Sequence, residues 1–151
     1  MFTTVRYFIK TSVIFLITGI LAGVYMSLAK NVLHTGYGAE MISAHTHIIL
    51  VGSVMMMIMG VALWFFPRPK SEDTKYNPDK ILAAYWIMAV STAFRFIFQV
   101  IASFIYQEWT GWFVSGFSFL QVVAIIYFFY AMWGRIRPVG SHIREAKGEK
   151  F

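Results

Sequence analysis

Met41–Phe66 reads MISAHTHIILVGSVMMMIMGVALWFF, and this stretch decides the fold. It contains no Asp, Glu, Lys or Arg, and it exceeds the roughly 20 residues that a helix needs to cross the ~30 Å hydrocarbon layer. Its apolar residues do not alternate as a barrel strand requires, so a transmembrane helix is the expected structure. Three further stretches read the same way: about Thr11 to Ala29, Ile81 to Tyr106, and Trp112 to Gly134. The links between them, Lys30–Glu40, Pro67–Lys80 and Gln107–Gly111, are short, which favours antiparallel neighbours. The expectation is an all-α integral membrane protein, a four-helix up-down-up-down bundle over 1–137, with a charged tail at 138–151.

Composition agrees. The 151-residue chain is 58% apolar and 13% charged, whereas a soluble domain runs near 45–50% apolar and about 25% charged. It has no cysteine, which excludes a disulfide, a cysteine-ligated iron–sulfur cluster, a thiolate nucleophile and a thioether-attached haem. Lysine and arginine gather on one side: Arg6, Lys10, Arg68, Lys70, Lys75 and Lys80, then Arg135, Arg137, Arg144, Lys147 and Lys150 in the last segment. The opposite side carries Lys30 alone, so both termini are expected in the cytoplasm, in a bacterial or archaeal inner membrane. Trp64, Trp86 and Trp133 at the inner ends and Trp109 and Trp112 at the outer ends mark the interfaces. The net charge of +6 is thereby accounted for by topology and anionic lipid, with no nucleic acid required. Ser27-Leu28-Ala29 has the small-x-small form of a signal cleavage site, but the apolar run before it is longer than a signal core, so a retained helix is expected.

Polar groups inside the spans carry the functional information. Ser91, Arg95 and Gln99 share one face of the third span, and Ser115, Ser118 and Gln121 one face of the fourth. Interhelical hydrogen bonding explains the serines and glutamines. Arg95 has no acid within the spans, which leaves carbonyls, water, a bound anionic group or a partner subunit to meet it. Gly19 and Gly23 form a small-xxx-small pattern that admits a close helix neighbour.

His45 and His47 lie one to two turns inside the second span, His34 in the outer loop and His142 in the tail. Imidazole is a common ligand for haem iron, copper and zinc. Residues two apart on a helix point about 200° apart, so His45 and His47 cannot hold one bare ion together. Haem needs only one or two ligands on a single axis, and the spacing favours it. Met41, Met55, Met56, Met57 and Met59 suggest copper, yet consecutive methionines point all round a helix and most must face lipid or core. A hydrogen-bonded structural role for each histidine is the plainer alternative.

The segment His45–Pro69, HTHIILVGSVMMMIMGVALWFFPRP, resembles the second transmembrane helix of the catalytic subunit of the haem–copper oxidases, in the form found in cbb-type oxidases and nitric oxide reductases. There a His-Thr-x pattern is followed at the seventh position by Gly, then by small residues, aromatics and a Pro or basic residue at the cytoplasmic exit. His45, Thr46, Gly52, Gly60, Trp64, Phe65, Phe66, Pro67 and Arg68 fit in that order. The resemblance implies that His45 is an axial ligand of a b-type haem near the outer face; His47 falls where that family often has Asn or Ser and inherits no role. The family's subunit has about twelve helices, and the copper-ligand histidines and the later haem-ligand helix have no counterpart here. Oxygen or nitric oxide reduction at a haem–copper centre is therefore excluded for this chain alone.

These readings combine into an expected membrane cytochrome that binds haem b through His45. A sixth ligand comes from His45 or His47 of a second copy, or from His34, and the propionates fall to Lys30, Trp109, Trp112 or Arg95. Its role is electron transfer between quinol and an outer-face acceptor, as a homodimer or as a subunit of a larger redox complex, with no self-contained catalytic centre. Haem-based binding of nitric oxide, carbon monoxide or oxygen is one alternative, and a haem-free accessory subunit another.

Overall fold

The computed structural model describes residues 2–67, 76–105, 107–137, 140, 143–144 and 147–148. Four long helices account for most of them: α1, Phe2–Asn31; α2, Ala39–Phe65; α3, Pro78–Phe104; and α4, Glu108–Met132, which runs into a 3-10 turn at Trp133–Arg135. All four are long and apolar enough to cross a membrane. The chain is an all-helical, multi-pass membrane protein. Arg68, Lys70, Lys75 and Lys150, used above for orientation, and His142 of the tail lie outside the described residues.

α1 outruns its expected span at both ends, and the other three helices begin two to four residues early, because apolar length marks the bilayer and not the limits of hydrogen bonding. Arg6 and Lys10 interrupt the apolar run, yet both are exposed on α1 while Val5 and Phe8 beside them are buried. Burial along α1 follows Val5, Phe8, Ser12, Phe15, Gly19, Ala22 and Ala29, the three-and-four spacing of a helix that packs along one seam. Asn77 starts α3, its side chain accepting the Asp79 backbone N–H at 2.8 Å, with Pro78 in the first turn where no N–H is needed.

Residue pairings make each pair of consecutive helices antiparallel, while α1 and α3 run parallel, with Phe8 against Tyr85 near their starts and Tyr25 against Phe104 near their ends. Gly23 meets His45, Gly19 meets Ile49 and Gly60 meets Phe8, joining α1 to α2. Gln99 bonds Ser43 and Thr92 abuts Gly52, joining α2 to α3. Arg95 bonds Gln121, and the Phe98 and Phe113 rings stack 4.7 Å apart, joining α3 to α4. The core gathers at the opposite end, where Phe8 packs edge-on against both Tyr85 and Phe128.

Inside α2, Ile48–Met55 is a π-helix. Ala44, Ile48, Gly52, Met56 and Gly60 are all buried and recur every four residues. A four-residue repeat oversteps the 3.6-residue turn by about 40° each time. The wider i→i+5 turn offsets that drift and keeps the stripe against its neighbours. Gly52 is the tight point, since a Cβ there would lie 2.8 Å from Thr92 and 3.0 Å from Phe15.

Arg135 closes the core end. It is fully buried and donates to the carbonyls of Leu63, Phe66 and Pro67 at 2.8–3.0 Å, with its guanidinium 4.7 Å from the centre of the Tyr76 ring. The Leu63 carbonyl would ordinarily take the N–H four residues on, but that residue is Pro67. The arginine supplies the missing donor.

Candidate functional site

Two features meet on opposite sides of α2 near its first turns. The first is His45, half-buried at the seam with α1. Its Nδ1 lies 2.8 Å from the Gly19 carbonyl oxygen. A carbonyl only accepts, so Nδ1 donates the proton in this bond, and Nε2 is the ring nitrogen left for any other partner. Gly23 makes room for the ring: a Cβ there would sit 2.9 Å from His45 Cε1. The small-xxx-small pair of α1 thus serves this seam, Gly19 as acceptor and Gly23 as clearance.

The second feature is a polar cluster between α2, α3 and the middle of α4. His47 Nδ1 lies 2.8 Å from the Ser43 carbonyl and 3.3 Å from Ser43 Oγ. Gln99 Nε2 donates to Ser43 Oγ at 2.7 Å and reaches Glu40 Oε2 at 3.4 Å. One turn deeper, Arg95 donates to Gln121 Oε1 at 2.7 Å, and Gln121 Nε2 donates to Thr92 Oγ1 at 2.9 Å. His47, Arg95, Gln99 and Gln121 line one small void. Arg95 Nε and Gln99 Oε1 are buried there without a hydrogen-bond partner.

The structure therefore separates His45 from His47, as their spacing requires, and brings Arg95 to His47 rather than to His45. His34 is exposed in the loop after α1, with φ +49°. Lys30 is exposed, and seven residues from Gly23 it falls on the same face of α1. Trp109 and Trp112 lie on α4, Trp109 against Phe98 and Trp112 on the outer wall of a groove with Phe113, Gly116, Phe117 and Leu120. They belong to the α3–α4 side, away from the seam that holds His45. Of the expected serine stripe on α4, only Gln121 bonds another helix; Ser118 bonds its own Val114 carbonyl and Ser115 is exposed.

Sequence reading missed Glu40, Ser43 and Thr92. Glu40 was placed in the loop, but it occupies the first turn of α2. Glu40, Ser43 and His47 at i, i+3 and i+7 share one helix face, and that spacing was the signal available.

The donor set discriminates between ligands. Among the described residues no three His, Cys, Asp or Glu side chains converge on one point, which does not suit a bare metal ion. A single imidazole whose Nδ1 is tied to a carbonyl suits haem iron better, since haem asks for only one or two such ligands on a single axis. Comparison with protein-family models, curated proteins and solved structures gave no match.

Proposed function

We propose that this chain is a haem b protein of a bacterial or archaeal cytoplasmic membrane, with both termini inside and His45 as an axial ligand. The observation that carries the reading is the 2.8 Å hydrogen bond from His45 Nδ1 to the Gly19 carbonyl. Holding the distal nitrogen in this way fixes the ring and its tautomer and presents Nε2 as the ligating atom. The lysine and arginine asymmetry supports the orientation, and the resemblance of His45–Pro69 to an oxidase haem helix supports the ligand.

Bound haem supplies one-electron chemistry at iron. The protein's own contribution is to hold and orient. Gly19 and Gly23 set the imidazole, and Lys30, on the same face of α1, offers a cation to a carboxylate near the rim. One bundle would provide one ligand at His45, and His45 or His47 of a second copy, or His34, would be the residue to add another. Such a homodimer, or a larger redox complex holding this chain as a subunit, passes electrons from quinol to an outer-face acceptor. A site left five-coordinate binds nitric oxide, carbon monoxide or oxygen instead.

A second reading is favoured by the same contact: His45 fills the space over Gly23 and clamps α1 to α2, as a haem-free accessory subunit would need. An absorbance spectrum separates the two. Protein purified from cells with ample haem should show a Soret band that His45→Ala abolishes. Carbon monoxide shifts that band if the iron has an open position and leaves it nearly unchanged if six-coordinate. A colourless parent protein, or a His45→Ala variant that keeps the band, overturns the ligand assignment.

A further inference from the structure

α1 and α3 run side by side and touch near both ends. At the Phe2 end Tyr7 stacks on Tyr85 at 5.6 Å, and Thr11 shares a 2.8 Å hydrogen bond with the Tyr85 hydroxyl. At the other end the Tyr25 and Phe104 rings meet at 6.0 Å. Between those contacts a recess of about 310 Å³ opens on the outer surface of the bundle. Leu21 and Tyr25 of α1 and Phe96, Val100 and Phe104 of α3 wall it, and the buried Met41 of α2 lies at its floor. Thr18, also on the wall, turns its hydroxyl onto the Ile14 carbonyl at 2.9 Å and so asks for no polar partner. Such a recess suits a hydrocarbon chain.

The same face of α1 carries a charge at its foot. Tyr7, Lys10, Ile14, Leu21 and Tyr25 are all exposed and fall within about 60° of one another around the helix. Arg6 is exposed one turn below Lys10, and among the described residues no carboxylate pairs with either. Like charges four residues apart on a helix repel, and an anion lying between them relieves the repulsion. Trp86, exposed on α3 and edge-on to Tyr85 at 5.2 Å, marks the headgroup boundary at this level, where amphipathic rings characteristically sit.

We infer that this face binds one anionic phospholipid of the leaflet at the Phe2 end, its phosphate held by Lys10 and Arg6 and one acyl chain laid over Ile14 into the recess. Reach decides between the leaflets. A chain spans half of the ~30 Å hydrocarbon layer, or ~15 Å, and Thr18 and Leu21 stand ~12 and ~16 Å of helix rise beyond Lys10. A chain from the opposite leaflet would first have to pass the Tyr25–Phe104 pair. Each lysine or arginine beside anionic lipid contributes about a fivefold preference, and salt weakens it. Gly19, which meets His45, lies about 180° round α1 from Lys10, so the lipid site stands independently of haem binding.

Photo-crosslinking of the full chain in lipid nanodiscs tests this. Two probes carry the same diazirine at the end of one acyl chain; one is a phosphatidylglycerol and the other a phosphatidylcholine. Adducts are mapped by mass spectrometry. The phosphatidylglycerol probe should label Thr18, Leu21 and Val100 about threefold or more above the phosphatidylcholine probe. Lys10→Gln, or about 0.5 M KCl with the unaltered protein, should bring that ratio close to one. Phe119, 68% exposed on α4 and level with this part of α1, should show no headgroup preference. Equal labelling of the recess by the two probes overturns the site, as does a preference that Phe119 shares. A preference that survives both Lys10→Gln and the added salt overturns it too. The salt arm needs no variant, so a Lys10→Gln protein that fails to fold leaves the outcome decided.

Discussion

His45 and Gly23 act as one unit across the α1–α2 seam, because the imidazole occupies the volume that a side chain on residue 23 would take. Substitution tests this directly. An alanine in place of a mid-helix glycine ordinarily gains up to about 1 kcal/mol of helix propensity. At Gly116, where a Cβ would meet nothing within 4 Å, that gain should appear in full. At Gly23 the new methyl would stand 2.9 Å from His45 Cε1, and overpacking of this kind costs about 1–3 kcal/mol. Gly23→Ala should therefore lower the thermal midpoint of the detergent-solubilised protein while Gly116→Ala raises it or leaves it unchanged. Equal shifts for both would show that the ring does not fill the seam. Arg95 differs from His45 in having been conspicuous as a charge without a visible partner. Its acceptor, Gln121, sits 26 residues away.

At the scale of the element, α2 is the unusual helix. Its π segment accommodates a buried stripe that repeats every four residues, so one residue there is surplus to an α-helical ladder. Deleting Val54, which is 45% exposed inside Ile48–Met55, should return the segment to α geometry and leave the flanking faces nearly in phase. Deleting Val61, 40% exposed in the regular α-helical part, rotates everything beyond it by about 100°. The first variant should retain a cooperative unfolding transition and the second lose it, as read by circular dichroism on heating. Four spans and their antiparallel order were legible in the sequence because length, apolarity and short links suffice for them. The π segment was not, since Ile48–Met55 is apolar nearly all round and betrays no change of turn. The Glu40–Gln99 link was hidden for another reason: it spans 59 residues, and only packing brings its ends together. The opposed directions of His45 and His47 followed from spacing alone, whereas which neighbour each would meet depended on the glycines of α1 and the polar face of α3.

In the whole molecule, packing is uneven: Phe8, Tyr85 and Phe128 interlock at one end, while between Glu108 and Leu120 α4 buries only Thr110 and meets α3 through the rings of Trp109, Phe113 and Phe117. Arg135 ties the interlocked end together from beyond the last span. Its three carbonyl acceptors all belong to the end of α2 or the residues just after it. Arg135→Ala should cost about 3 kcal/mol by removing charge-assisted hydrogen bonds to otherwise unmet carbonyls, and Arg135→Lys should recover only part of it, because an ammonium cannot reproduce the fork. Urea unfolding in mild detergent would register the order; a lysine variant as stable as the parent would contradict the geometry. The same latch sets a timetable for biogenesis. A nascent chain halted after its third crossing leaves the tail of its second rod without the donor for those oxygens, so the ribosome must deliver the 135th residue before the assembly can lock.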